Sequence, residues 1–165
     1  MSLSDWIYKL TRWGLGGIFI YAGSIKLLEP ETFAVLIDAY GVIPESLLVP
    51  VAVSLPALEV AAGIGLFFDI EGSLSMIACL LVLFIAILIY GIWMGLDVDC
   101  GCFGPDDPEA EAFHGLRLPL YRNMLILAGI AYIYGWRRYR SIEPLKITLL
   151  INKLWKKRRK KNAYV

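Results

Sequence analysis

Four long apolar runs separated by short charged intervals constrain the fold of this chain more than any other feature. The runs are Trp6–Leu28, Leu47–Phe68, Ser73–Gly95 and Pro119–Trp136. Each is long enough to cross the hydrocarbon core of a bilayer as a helix, which takes about 20 apolar residues. The 165 residues are 58% hydrophobic and 19% charged, whereas a soluble domain is less apolar and carries charge throughout. The sequence therefore predicts an all-α integral membrane protein with a bundle of four transmembrane helices.

The runs and their intervals form one membrane domain, residues 1–136, followed by a basic tail, residues 137–165. The first run is similar to the apolar part of a signal peptide, but such a peptide ends at a small-residue cleavage site before a soluble chain. Here Lys26, Glu29 and Pro30 end the run, and three further runs follow. We therefore expect the first run to be retained as a membrane anchor.

Lysine and arginine residues at the ends of the runs predict the orientation, because positive charge is retained on the cytoplasmic side. Arg137, Arg138 and Arg140 follow the fourth run, and Lys9 and Arg12 lie at the start of the first. Both termini are therefore predicted to be cytoplasmic, in the inner membrane of a bacterium. The intervals after the first and third runs then face the periplasm.

Two shorter segments have an amphipathic pattern. Phe33, Leu36, Ile37 and Tyr40 recur at helical spacing, which predicts a short helix that lies on the outer face and covers the end of the bundle. After Pro144 an apolar stripe faces several lysines and predicts a cytoplasmic amphipathic helix; its members are Ile147, Leu150, Ile151, Leu154 and Trp155. The basic residues after this stripe are suited to bind anionic lipid headgroups. We do not predict nucleic-acid binding.

The segment Asp99–Gly104 (DCGCFG) places two cysteines one residue apart, directly after the third run. A disulfide between Cys100 and Cys102 would close a very small ring, and strain makes a disulfide easier to reduce. As a permanent bond it would add little stability, because so short a loop constrains the unfolded chain little. We therefore interpret Cys100 and Cys102 as a redox-active pair.

A metal site is the other interpretation of these cysteines. Two thiolates suit a soft ion such as Cu(I), but the only histidine, His114, is twelve residues on, and the spacing matches no zinc pattern. We expect no metal, although the alternative stays open. The third cysteine, Cys79, lies early in the third run, about 30 Å from the pair by helical rise. It is predicted to be a small buried apolar side chain.

Ionisable residues inside the runs need partners, because charge in a bilayer is costly. Arg12 lies about two turns into the first run, and Glu59, on the returning second run, comes within about 5 Å of the same depth. We therefore predict an Arg12–Glu59 ion pair that is either structural or functional. Ala62 and Gly63 share the face of Glu59 and would allow close helix approach.

Three polar residues lie at the outer ends of the runs. Arg122 and Asn123 begin the fourth run, and Lys26 ends the first. Arg122 either extends to the interface, favours a cysteine thiolate or donates a hydrogen bond to a quinone carbonyl, and Lys26 would assist at the same end. Asp99 is predicted to cap the cysteine loop or to handle a proton.

Several of these features together resemble the MauE branch of the DoxX-like membrane proteins: Arg12, the segment Gly16–Pro30 (GGIFIYAGSIKLLEP), Glu59, DCGCFG and the pair Arg122-Asn123. The resemblance implies a four-helix membrane fold and a role in thiol–disulfide traffic beside a thioredoxin-like protein, MauD, during maturation of methylamine dehydrogenase. It does not fix the substrate, because DoxX-like proteins also serve thiosulfate:quinone oxidoreductases.

The four-helix design is also similar to DsbB and vitamin K epoxide reductase, which normally use two cysteine pairs, one of them a CxxC beside a quinone. This chain has one pair, spaced CxC. An internal electron relay is therefore in doubt, and a quinone would meet the Cys100–Cys102 pair directly.

These features lead to one main hypothesis, a membrane thiol–disulfide oxidoreductase component. A thioredoxin-like periplasmic partner would exchange electrons with Cys100 and Cys102 through a mixed disulfide. The quinone pool would be the other terminus, and the protein would support disulfide formation or maturation of an exported protein. The alternatives are a soft-metal-handling membrane protein and a non-catalytic anchor subunit of a redox complex.

Overall fold

Five helices make up the computed structural model, which describes residues 3–96, 116–141 and 144. In chain order they are α1 (Leu3–Leu28), α2 (Pro30–Ala39), α3 (Glu45–Phe67), α4 (Ser73–Met94) and α5 (Arg117–Arg140). The predicted all-α class is therefore confirmed. The four long helices coincide with the four apolar runs, and α2 is the predicted short helix.

Two of the described helices, α3 and α4, are long and apolar enough to cross a membrane. Their most apolar stretches have mean hydropathies of 2.0 and 2.8. The helices α1 and α5 carry more charge, including Lys26 and Arg122. The membrane character of the chain thus rests on α3 and α4, and a bundle of four spans stays a prediction.

Proline and glycine mark the helix boundaries. Pro30 occupies the first turn of α2, where its missing N–H and fixed φ are tolerated, and it disfavours helical backbone at Glu29, so that α1 ends at Leu28. Gly95 ends α4 with φ of 69°, and the next N–H, that of Leu96, donates to the Gly91 carbonyl at 3.0 Å. This left-handed position suits glycine because it has no Cβ atom.

The most extensive packing between two of the described helices is that of α1 with α3, which run antiparallel. A Cβ atom placed on Gly63 would lie 2.8 Å from the Gly16 carbonyl oxygen, and one placed on Gly23 would lie 2.8 Å from the Pro56 carbonyl oxygen. The two backbones can approach this closely only because the facing residues are small. The predicted role of Gly63 in close helix approach is confirmed.

The helices define two ends of the bundle, which we name by their residues. At the α2 end, α1 and α4 finish and α3 and α5 begin; at the Asp69 end lie the turn between α3 and α4 and the last turn of α5. The most deeply buried side chains lie between these ends: Leu66, Leu74, Ile77, Leu81 and Ile133. Helix α2 covers its end by packing Phe33 and Ala34 against Leu48 and Ala52 of α3.

The environment of Cys79 differs from the prediction, because its side chain is exposed. The buried face of α4 is formed by Leu74, Ile77, Leu81 and Ile85 at helical spacing, and Cys79 lies off that face. In a membrane this side of α4 would contact lipid, which a thiol tolerates as a small apolar group.

Two groups of predictions lie outside the described residues. One is the segment with Asp99, Cys100, Cys102 and His114, and the other is the amphipathic helix after Pro144 with the rest of the basic tail. Both stay predictions.

Candidate functional site

A buried ion pair joins α1 to α3 near the α2 end. The Lys26 Nζ donates to Glu59 Oε1 at 2.8 Å and to Glu59 Oε2 at 3.0 Å, and the two residues are only 5% and 1% exposed. Such burial removes both charges from solvent, which is costly unless each charge is paired and hydrogen-bonded. Here the ammonium binds both carboxylate oxygens, so each charge compensates the other.

The predicted Arg12–Glu59 pair is wrong, because Arg12 instead contacts Asp69, with 2.8 Å between Arg12 Nη1 and Asp69 Oδ2. The reason lies in the register of α1 and α3, which is set by the contact of Gly16 with Gly63. Arg12, one turn before Gly16, lies level with the chain about one turn beyond Gly63 in the antiparallel helix, close to Asp69. Estimating depth from the ends of the apolar runs missed this register.

The side-chain directions explain why Lys26 reaches Glu59. Helical side chains lean toward the N-terminus of their own helix. Because α1 and α3 are antiparallel, the Lys26 side chain leans toward the Asp69 end and the Glu59 side chain leans toward the α2 end, so the two side chains approach each other. The depth of the residues along the apolar runs did not indicate Lys26 as the partner of Glu59. The available signal was that Lys26 lies three residues after Gly23, on the small-residue face that packs against Pro56 of α3.

A cavity of about 30 Å³ lies beside this ion pair. Four polar side chains contribute to its lining: Lys26 of α1, Glu59 of α3, and Arg122 and Asn123 of α5. The fold therefore brings together the three residues that the sequence suggested for cofactor binding, and it adds Glu59. The remaining lining is apolar and includes Phe84 of α4.

Asn123 is a polar member of this cavity whose side-chain hydrogen bonding is incomplete. Its side chain is only 6% exposed, and its Nδ2 finds no hydrogen-bond acceptor within the described part of the chain. A buried amide donor without an acceptor is costly, and a cavity of this size is large enough for a water molecule. Asn123 therefore has a donor available for a water or a ligand oxygen.

A larger chamber of about 260 Å³ lies under α2, between α2, α3 and α4. It shares Lys26 and Phe84 with the small cavity. The Lys26 Nζ lies 5.3 Å from the centre of the Phe33 ring and 4.9 Å from the centre of the Phe84 ring, within the range of cation–π attraction. The ammonium thus lies where the apolar chamber meets the small cavity that also contains Glu59, Arg122 and Asn123.

A second charged cluster lies at the other end of the bundle. Asp69 binds Arg12 of α1 and Arg137 of α5, and Arg137 Nε donates to the Tyr8 hydroxyl at 3.1 Å. Asp69 has a positive φ of 60°, which aspartate adopts more readily than most residues. This arrangement ties three parts of the chain together and is best explained as a structural clamp.

The predicted catalytic residues Asp99, Cys100 and Cys102 fall between the described residues Leu96 and Leu116. Both flanking residues belong to the α2 end, where Leu116 packs with Tyr40 and Leu88. Within 3–96 and 116–141, no group of three or more histidine, cysteine or acidic residues is placed to hold a metal ion. That finding does not reach the cysteine pair.

The family model of methylamine utilisation protein MauE matches this chain over residues 4–137. No curated protein and no solved structure matches it. The matched range includes both charged clusters, both cavities and the cysteine segment. The basic tail lies beyond it.

Proposed function

Because the chain belongs to the MauE family, we propose that this membrane protein is a thiol–disulfide oxidoreductase component in methylamine utilisation. A thioredoxin-like partner of the MauD type would exchange electrons with Cys100 and Cys102. A membrane quinone would be the other electron terminus, bound beside Lys26 with Arg122 and Asn123 nearby. The exchange would support disulfide formation or maturation of an exported protein.

The observation that carries this proposal is the clustering of Lys26, Glu59, Arg122 and Asn123 around one cavity beside an apolar chamber. An apolar pocket with a few convergent polar groups is typical of small-molecule sites. A lysine ammonium has three N–H donors, and the two oxygens of Glu59 accept two hydrogen bonds from it. Within the described residues the third N–H therefore remains for the carbonyl oxygen of a quinone.

Chain length supports the proximity of the cysteines to this site. Leu96 lies at the end of α4, at the α2 end of the bundle, and Cys100 follows it by four residues. A fully extended chain spans at most about 3.6 Å per residue, so Cys100 lies within about 14 Å of Leu96. Direct electron transfer from the cysteine pair to a quinone at the α2 end is consistent with this limit.

Atoms and electrons balance when the exchange oxidises the thioredoxin-like partner and reduces the quinone. A thiolate of the partner attacks the Cys100–Cys102 disulfide, and resolution of the mixed disulfide leaves the partner oxidised and Cys100 and Cys102 as thiols. Reoxidation of these thiols passes two electrons and two protons to the quinone, which becomes a quinol, and re-forms the disulfide. The Lys26 cation would stabilise negative charge that develops on the quinone oxygen.

The test is quinone-dependent oxidation of a thioredoxin-like dithiol by the purified protein, followed by thiol alkylation. We expect Cys100→Ser and Cys102→Ser each to abolish the reaction. When incubated with the oxidised, disulfide form of the partner, one of the two variants should trap a mixed disulfide, because its remaining thiol attacks that disulfide and its resolving thiol is missing. Full activity in both variants, or copurification of a stoichiometric soft metal with the wild type, would instead favour metal handling.

A further inference from the structure

The chamber under α2 is large, apolar and shaped by three helices. Its volume is about 260 Å³, and its wall includes Phe33 and Ile37 of α2, Val51 and Leu55 of α3, and Phe84 of α4. Protein interiors are normally packed with few voids larger than a water molecule. A chamber of this size within so small a bundle is therefore suited to an occupant.

The chemistry of the wall restricts what that occupant is. Among the residues that line the chamber, the charged one is Lys26, whose ammonium stands between the rings of Phe33 and Phe84. Aromatic rings favour stacked or edge contacts with another flat ring, and an ammonium forms a short, strong hydrogen bond to an oxygen acceptor. The wall thus suits a flat apolar ring with a carbonyl oxygen at its edge.

The chamber also has an apolar route to the surface. Two of its lining residues, Val42 and Leu83, have exposed side chains at 59% and 43%. Leu83 belongs to α4, one of the two helices that are apolar enough to cross a membrane. A hydrocarbon tail attached to the bound ring would pass from the chamber into lipid without crossing a polar surface.

We infer that this chamber binds the ring of an isoprenoid quinone, with one quinone carbonyl accepting a hydrogen bond from Lys26 Nζ and the isoprenoid tail leaving past Val42 and Leu83. This inference rests on the proposed function and adds to it the position and orientation of the electron acceptor. A lipid acyl chain fits the same walls less well, because its methylene groups offer no acceptor to the ammonium.

The decisive variant fills the chamber. Val51 is half-buried and lines it, whereas Val53, on the same helix, is 43% exposed and does not. We expect Val51→Trp to bind a benzoquinone carrying one isoprene unit about tenfold more weakly than the wild type, measured by equilibrium dialysis of purified protein in detergent. The matched control Val53→Trp should bind it as tightly as the wild type.

A second measurement keeps the inference testable if Val51→Trp fails to assemble. A photoreactive azidoquinone should label the wild type on peptides that contain Phe33 or Phe84, and excess unlabelled quinone should compete. Labelling confined to α5 or to the Asp69 end would overturn the inference. It would also be overturned if Val51→Trp lost copurified phospholipid but bound the benzoquinone normally, since a lipid chain would then be the occupant.

Failure of the inference and failure of the proposed function give different results. Transfer of electrons from the thioredoxin-like dithiol to the cysteine pair, measured without quinone, should be unchanged in the control variant Val53→Trp. If the wild type oxidises the dithiol with quinone and Val51→Trp does so equally well, the position assigned to the quinone is wrong while the exchange stands. If the wild type shows no quinone-dependent oxidation and no azidoquinone labelling, both are wrong.

Discussion

The two charged clusters of the bundle differ in exposure, in charge balance and in what surrounds them. Lys26 and Glu59 form a sealed one-to-one pair, 5% and 1% exposed, next to two cavities. Asp69 instead binds two arginines, and the side chains of this cluster are 12% to 18% exposed. The first cluster is costly to desolvate and adjoins two cavities, whereas the second links parts of the chain near the surface.

This difference is consistent with the proposed function, in which the Asp69 cluster serves the fold and the Lys26–Glu59 pair serves the chemistry. A buried ion pair is weak grounds for inferring stability, because packed apolar residues of similar volume often do as well. The contact of α1 with α3 is already provided by Gly16 against Gly63 and by Gly23 against Pro56. Under the proposed function the Lys26–Glu59 pair serves a ligand, whereas the Asp69 cluster links parts of the chain.

The two ends should also differ in the side of the membrane that they face, and this is the largest expected effect. In intact, reduced cells a membrane-impermeant maleimide should label Cys100 or Cys102, which follow the α2 end, and should leave Cys79 unlabelled. As a control, a Glu71→Cys variant places a thiol in the exposed turn at the Asp69 end, where labelling should need permeabilisation. The reverse pattern would invert the predicted orientation.

Breaking the sealed pair on one side should cost the most stability. Glu59→Gln leaves the Lys26 ammonium buried without a counter-charge, which costs about 3–5 kcal/mol. Folded yield, measured by size-exclusion chromatography in detergent, should fall sharply. Glu71→Gln, at an exposed position, serves as the control and should fold normally. Equal yields for the two variants would mean that Lys26 reaches water or another partner when Glu59 is neutral.

Replacing both Lys26 and Glu59 separates a structural role of the pair from a role in quinone binding. Lys26→Met combined with Glu59→Leu removes both charges and fills similar volume, so the double variant should regain stability to within about 1–2 kcal/mol of the wild type. It should nevertheless fail to bind the benzoquinone, because the hydrogen-bond donor is gone. A double variant that folds and binds quinone like the wild type would reduce the pair to a structural element.

The positions of the helices were largely predictable from the sequence, and their faces and register were not. Apolar runs bounded by charge, proline and glycine locate helices well, because bilayer thickness sets their length. The exposed face of Cys79 was missed because α4 is apolar all round, with a mean hydropathy of 2.8, so no polar stripe marks the side away from the core. Helices that are apolar on all sides are typical of protein cores and of membrane spans.

The candidate site was predictable only in part, for a related reason. The antiparallel order of the runs was enough to group Lys26 with Arg122 and Asn123 at one end. The partner of Glu59 depends on register at the scale of one helical turn, which the glycine contacts determine. The two cavities arise from how side chains fail to fill the space between helices, and no pattern along the chain records that.

A smaller loss of stability is expected at the Asp69 end. Asp69→Asn leaves Arg12 and Arg137 without a carboxylate, but both guanidinium groups are partly exposed and solvent or lipid phosphate can screen them. We expect a destabilisation of about 1–2 kcal/mol in reversible unfolding and unchanged quinone binding. Asp5→Asn is a suitable comparison, because its contact with Arg140 is 3.5 Å and more exposed, and it should have less effect. Loss of quinone binding in Asp69→Asn would remove the distinction between the two ends.

The smallest effect on stability is expected at Asn123. A substitution there tests whether its side chain donates a hydrogen bond to a ligand or only fills space. Asn123→Leu removes a buried Nδ2 that has no acceptor within the described residues and keeps similar volume, so the free energy of unfolding should change by less than about 1 kcal/mol. If Nδ2 donates a hydrogen bond to a quinone oxygen beside Lys26, the same variant should weaken benzoquinone binding severalfold. Met124→Leu, at an exposed position on α5, should leave both quantities unchanged. An Asn123→Leu variant with normal quinone binding would confine the ligand to the chamber under α2 and leave the small cavity to water.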